Sequence, residues 1–171
     1  SAAEPELEYT LSNSGASQVV ATSESASKLE SLCESLNLPL LLVEEMDSAP
    51  EKALPEVSLD RRAMILYTSG TTSKPKGVVS THANIQSQIE TLVKAWEWQS
   101  TDRIPLFLPL HHIHGIINVL SCALWVGGTI EAYPGFKLNV IFDRVAAGAF
   151  TVFMAVPTIY VKLIQALEAL S

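Results

Sequence analysis

From residue 6 onward, short apolar runs of strand length alternate with stretches whose apolar residues recur at helical spacing. That alternation constrains the fold more than any other feature of the chain. Residues 18–21, 38–43, 63–67, 104–108, 129–132 and 151–155 read as strands. Ser23 can cap a helix that lines up Leu29, Leu32, Cys33 and Leu36 on one stripe. Thr81 can cap a second, carrying Ile85, Ile89, Leu92, Val93 and Trp96. Residues 116–126 read as a helix that the Gly127-Gly128 pair stops, and another runs over 138–147. Pro157 opens a last helix at a position where its missing N–H costs nothing. Strands joined through helices pair in parallel, so the expected class is α/β, a mostly parallel sheet flanked by helices. Residues 44–60, acidic and broken by Pro50 and Pro55, read as a surface connection.

Composition narrows the partners. The chain has 171 residues, 48% hydrophobic and 17% charged, which suits a packed body of one domain or a piece of a larger one. Its formal charge is −7, with no basic stripe to neutralise nucleic-acid phosphates or to meet an anionic membrane. A phosphate-bearing ligand must therefore be held by a local device. Cys33 and Cys122 lie far apart and make no disulfide framework. They read as small buried hydrophobes in a reducing, intracellular compartment, cytoplasmic or mitochondrial. The longest apolar stretch, 116–126, is interrupted by Asn118 and Ser121 and falls short of the ~20 residues a bilayer requires. The opening SAAEPELEY has no initiator Met and no apolar signal core, so no secretory leader is expected.

The local device is the run Tyr67-Thr68-Ser69-Gly70-Thr71-Thr72-Ser73-Lys74-Pro75-Lys76-Gly77. Gly70 and Gly77 allow close approaches that a side chain would block. Thr68, Ser69, Thr71, Thr72 and Ser73 supply hydroxyl donors, and successive backbone N–H groups in such a turn can form an anion-binding nest. Lys74 and Lys76 bring positive charge to an acidic chain, Lys74 being the one expected to point to solvent. Two readings stand on residue types alone: a polyphosphate cradle, or a polar surface hairpin between two strands. The usual P-loop is excluded, because its Lys and hydroxyl follow the second glycine, whereas Val78-Val79 follows it here.

The run YTSGTTSKPKG resembles the phosphate loop of the adenylate-forming enzymes, the family of acyl-CoA synthetases, luciferases and peptide-synthetase adenylation domains. Ser73 departs from the glycine that the family more often carries there. LPLHHIHG, residues 108–115, is similar to the family's second signature, and VPTIY, residues 156–160, to a segment opening a later helix. Within the family the combination resembles the malonate–CoA ligases. The resemblance implies an acid–CoA ligase as parent enzyme. ATP activates a small, malonate-like acid as an acyl-adenylate with release of pyrophosphate, and coenzyme A then takes the acyl group. Mg²⁺ is expected with the nucleotide, and fatty acid metabolism is the expected setting. Thr68, Ser69, Gly70, Thr71, Thr72, Ser73, Lys76 and Gly77 are the implied ATP phosphate-binding residues.

Three of the four histidines crowd positions 111–114. Spacing i, i+1, i+3 at a strand-to-helix turn does not aim three imidazoles at one metal, and no metal site is expected. The resemblance places His112 beside the substrate, His114 along the same pocket, and His111 in packing. An imidazole can donate to a carboxylate, which suits an acid. The family's Thr-Glu loop, ribose-binding aspartate, hinge and C-terminal lysine do not occur within residues 1–171. The whole chain thus reads as a fragment of the AMP-binding N-terminal domain, without the C-terminal domain and with no complete catalytic set. Alternatives that stay open are a ligase for another acyl chain, an adenylation domain without CoA chemistry, and a non-catalytic nucleotide-binding module.

Overall fold

The structure, a computed structural model, describes residues 4–46, 53–68 and 74–169. The chain divides into two compact units, residues 1–80 and 81–171.

The first unit opens with a helix that the sequence reading missed, α1 (Glu4–Ser14). Strand β1 (Val19–Ala21) pairs in parallel with β2 (Leu40–Leu42), in the register Val19 to Leu40 and Ala21 to Leu42. The crossover between them holds two short helices, α2 (Ser23–Ala26) and α3 (Glu30–Ser35), where one helix is expected. Ala21, Ala26, Leu32 and Cys33 are buried and form the small core of this βαβ unit. Just beyond β2, Glu44 accepts the Ser23 amide on both carboxylate oxygens, at 3.0 and 3.1 Å. Backbone donors, its own amide first and then that of Ser23, hold the Glu44 carboxyl below its usual range. Residues 53–60, inside the expected surface connection, are exposed.

Strand β3 (Arg62–Thr68) is hydrogen-bonded to β4 (Lys76–Thr81). The seven residues between them are too few for a parallel crossover, which needs about a dozen, so the two strands form a hairpin.

The second unit begins with α4 (His82–Ala95), capped at Thr81 as its sequence predicts. Thr81 Oγ1 accepts the Asn84 amide while Asn84 Oδ1 accepts the Thr81 amide, a reciprocal capping box. Strand β5 (Arg103–Leu106) pairs in parallel with β6 (Thr129–Ala132). The crossover helix is continuous over residues 114–126, but its first part, His114–Ser121, is π-helical and only the second, α5 (Cys122–Val126), is α-helical. The expected helix over 116–126 is thus two kinds of helix in series. Cys122 N–H reaches back five residues to the Ile117 carbonyl, and Ser121 Oγ takes the Ile116 carbonyl at 2.6 Å. A serine that bonds a preceding carbonyl competes with the regular ladder and opens the turn. Gly127, at φ +75°, ends α5 in the left-handed conformation.

Ile104, Val119, Cys122, Ala123 and Ile141 are fully excluded from solvent and form the centre of this unit. Burial alone pushes the Cys122 thiol up to about 11. Two further helices follow, α6 (Leu138–Ala146) and α7 (Pro157–Glu168), the latter with Pro157 in its first turn. Arg144 of α6 forks onto Glu131 of β6, Nε to Oε1 at 2.9 Å and Nη2 to Oε2 at 2.6 Å, and Tyr133 Oη donates to the same carboxylate. Arg144 first, then the Tyr133 hydroxyl, draws the Glu131 pKa down.

The expected strand over 151–155 does not form. The amides of Thr151 and Val152 both converge on the Arg103 carbonyl, and the Arg103 amide donates instead to the Thr151 hydroxyl. With one carbonyl shared and the matching donor taken by a side chain, no ladder can propagate.

Candidate functional site

The hydroxyl loop hangs between β3 and β4. Thr68, the last residue of β3, and Lys76, the first of β4, are both exposed, and Thr68 Oγ1 donates to the Lys76 carbonyl at 3.5 Å. The two ends of the loop are therefore adjacent. Ser69, Gly70, Thr71, Thr72 and Ser73 lie outside the described residues.

Gly77 sits one residue into β4, beneath the side chains of β3. A Cβ there would stand 3.0 Å from Ile65 Cγ2 and 3.1 Å from Tyr67 Cζ. Its bare Cα leaves room for the Ile65 and Tyr67 side chains, a packing reason for glycine that residue types alone did not reveal.

Tyr67 is held from its other side by α1. Its hydroxyl donates to Asn13 Oδ1 at 2.8 Å, and its ring meets Tyr9 edge-to-face, with centroids 6.4 Å apart. On the far shoulder of the loop, Lys74 Nζ lies 5.3 Å from the centroid of the same Tyr9 ring. Lys74 is exposed, but it is placed over an aromatic face rather than left to solvent alone. Tyr9 and Asn13 thus contact the residues that flank the loop, and sequence reasoning missed both. The available signal was Pro5 in an acidic first turn, followed by Leu7 and Leu11 at helical spacing.

The histidines occupy a tight turn between β5 and the π-helical segment. The Pro109 carbonyl accepts the His112 amide at 3.3 Å, and the His112 carbonyl accepts the amides of Gly115 and Ile116 at 3.0 and 3.1 Å. The rings of His111 and His112 stack at 4.2 Å, inclined by 50°. His111, given a packing role in the sequence reading, is exposed beside an exposed His112. His114 is half-buried at the start of the π-helical segment. One turn further on, Asn118 accepts from Gln88 of α4 at 3.3 Å, which ties the histidine-bearing helix to its neighbour. Among the described residues, no three His, Cys, Asp or Glu side chains converge as a metal site would require.

A hairpin whose connecting run carries hydroxyls and lysines, with one parallel βαβ unit before it in the chain and one after, defines an α/β protein. Comparison with known proteins is consistent with that class. The profile described as "AMP-binding enzyme" matches residues 1–171, and the chain belongs to that family. The mitochondrial malonate–CoA ligase of Xenopus laevis is 41% identical over 175 residues, covering 95% of this chain and 30% of that protein. Among solved structures, ATP-bound MatB from Rhodopseudomonas palustris superposes with a TM-score of 0.84 at 27% identity, covering 96% of this chain and 34% of that one. A malonyl-CoA ligase in complex with methylmalonyl-CoA and AMP gives 0.82 at 30% identity, with the same coverage of 96% and 34%. The chain spans about a third of the length of the relatives it matches.

Proposed function

We propose that this chain is a segment of the N-terminal domain of an ATP-dependent acid–CoA ligase that acts on a small, malonate-like acid. The observation that carries the reading is the tied loop, with Thr68 and Lys76 presented together at its ends in a chain of net charge −7. The names of the relatives support the acid and the thiol acceptor.

In the reaction, a carboxylate oxygen of the acid attacks the α-phosphorus of ATP. The acyl–phosphate bond forms as the α–β anhydride breaks, and pyrophosphate leaves. The coenzyme A thiol then attacks the acyl carbon, a thioester forms and AMP departs. Residues of this chain serve the first step. Lys76 and the hydroxyls of Thr68, Ser69, Thr71, Thr72 and Ser73, with the backbone of Gly70 and Gly77, hold the β- and γ-phosphates through charge-assisted bonds. Mg²⁺ enters as part of the nucleotide substrate. His112 and His114 donate to a carboxylate of the acid, since a buried, unpaired carboxylate would be very costly.

Turnover requires the reacting carboxylate, the α-phosphate and a charge-stabilising lysine to be positioned together, and residues 1–171 supply only part of that set. The purified 171-residue chain is therefore expected to make no acyl-CoA. The compartment we assign is the mitochondrion, as in the name of the Xenopus relative.

The test is Lys76→Ala in the full-length enzyme. Each charge-assisted contact is worth roughly 1.5–3 kcal/mol, so acid-dependent pyrophosphate exchange should slow at least about tenfold. An unchanged exchange rate would remove the loop from the nucleotide site.

A further inference from the structure

Helix α1 meets the hydroxyl loop on both of its shoulders through one side chain. Tyr9 packs edge-to-face against Tyr67, the residue immediately before Thr68. The same ring lies 5.3 Å from the ammonium of Lys74, two residues before Lys76. Tyr67 is fixed on two further sides, by its hydrogen bond to Asn13 and by the bare Gly77 beneath its ring. Pro5, Glu6, Tyr9, Lys74 and Pro75 line a shallow depression where the helix and the loop shoulder meet.

We propose that Tyr9 is a positioning residue for nucleotide binding: by gripping Tyr67 and Lys74 with one ring, it sets the separation between Thr68 and Lys76. Holding Thr68 and Lys76 at one separation spares a bound nucleotide the entropy of bringing the two together, so the grip strengthens ATP binding without touching ATP. The acid is bound by other residues and gains nothing from it. The inference rests on the reading of the loop as the phosphate site.

The experiment compares steady-state adenylation in the full-length enzyme for Tyr9→Leu, Tyr9→Phe, Lys74→Met, the Tyr9→Leu/Lys74→Met pair and Lys76→Ala. Tyr9→Leu keeps an apolar contact but removes the aromatic face. It should raise the KM for ATP about twofold to fivefold, the size of an exposed cation–π contact, with the KM for the acid and kcat unchanged. Tyr9→Phe retains the ring and should restore the ATP KM. Lys74→Met should match Tyr9→Leu, and the double variant should be no worse than either single change. Equal rises in both KM values, a Tyr9→Phe variant as impaired as Tyr9→Leu, or additive losses in the double variant would overturn the proposal. Should Tyr9→Leu fail to fold in a melting assay, the exposed position 74 carries the test alone, Lys74→Met raising the ATP KM and Lys74→Arg restoring it. Lys76→Ala separates the two readings. If it raises the ATP KM while Tyr9→Leu and Lys74→Met do not, the grip is wrong and the phosphate loop stands. If Lys76→Ala changes nothing, the phosphate reading itself falls.

Discussion

Gly115 lies so close to the carbonyl of Pro109 that a Cβ built on it would stand 2.4 Å from that oxygen and 3.1 Å from the Leu108 carbonyl. The contact closes the turn that carries His111 and His112. Both obstructing groups are backbone, so neither can swing aside as a flexible side chain would.

Gly115→Ala sets two effects against each other. Helix propensity favours alanine by about 1 kcal/mol, while overpacking a tight contact costs typically 1–3 kcal/mol. With an oxygen at 2.4 Å the steric term wins. The expected result is a net loss of up to about 2 kcal/mol in denaturant unfolding. A midpoint at or above that of the parent would mean that the turn at Pro109 yields without strain.

His112→Phe bears on the choice of acid. If His112 donates to the second carboxylate of a dicarboxylic substrate, kcat/KM with malonate should fall by roughly 1–3 kcal/mol of transition-state binding, and a monocarboxylic acid should lose far less. Equal losses with both acids would assign His112 to the fold or to the reacting carboxylate.

The Glu131–Arg144 fork predicts a pH dependence of stability. Arg144, and after it Tyr133, holds the folded-state pKa of Glu131 below its value in the unfolded chain, ~4.3. Its stabilisation is therefore fully present above ~4.3 and is lost as pH falls through the folded-state value. Urea melts of the parent and of Glu131→Gln should differ most at neutral pH and converge as the solution is acidified. A gap that stays constant with pH would show that the pair acts through packing rather than charge.

Cys122 should be inert to alkylation. Its thiol has no solvent exposure, and burial pushes its pKa up to about 11, so almost no thiolate exists at pH 8. Intact mass after iodoacetamide treatment should show Cys122 unmodified until denaturant is added. Rapid native labelling at Cys122 would reveal an opening of the helix that carries it.

Local chemistry was legible in the sequence, and chemistry across distance was not. The Thr81 cap, the Gly127 stop and the Pro157 first turn are each decided by residues within one turn of chain, and each stands where it was expected. The tie from Tyr67 to Asn13 spans 54 positions, and no spacing rule connects the two. Gly77 looked like a loop glycine because the ring it accommodates belongs to the opposite strand. Residues 151–155 have the composition of a strand, but the partner edge is taken by the Thr151 hydroxyl, a competition that composition does not record. The π-helical segment escaped for a similar reason, since apolar periodicity over 116–126 does not register a serine closing on the fifth carbonyl back.

That segment also bears on how the chain tolerates changes of length. A helix that closes on the fifth residue back rather than the fourth holds one residue more per turn, like an α-helix into which a residue has been spliced. Removing the half-buried Asn118, which lies between the buried Ile117 and Val119, can tighten the turn to regular geometry while Cys122 and Ala123 keep facing the core. The same deletion within α4 would rotate everything beyond it by about 100° and turn Ile89 out of its buried place. The histidine turn is thus joined to the core of its unit through a length of chain with one residue of slack.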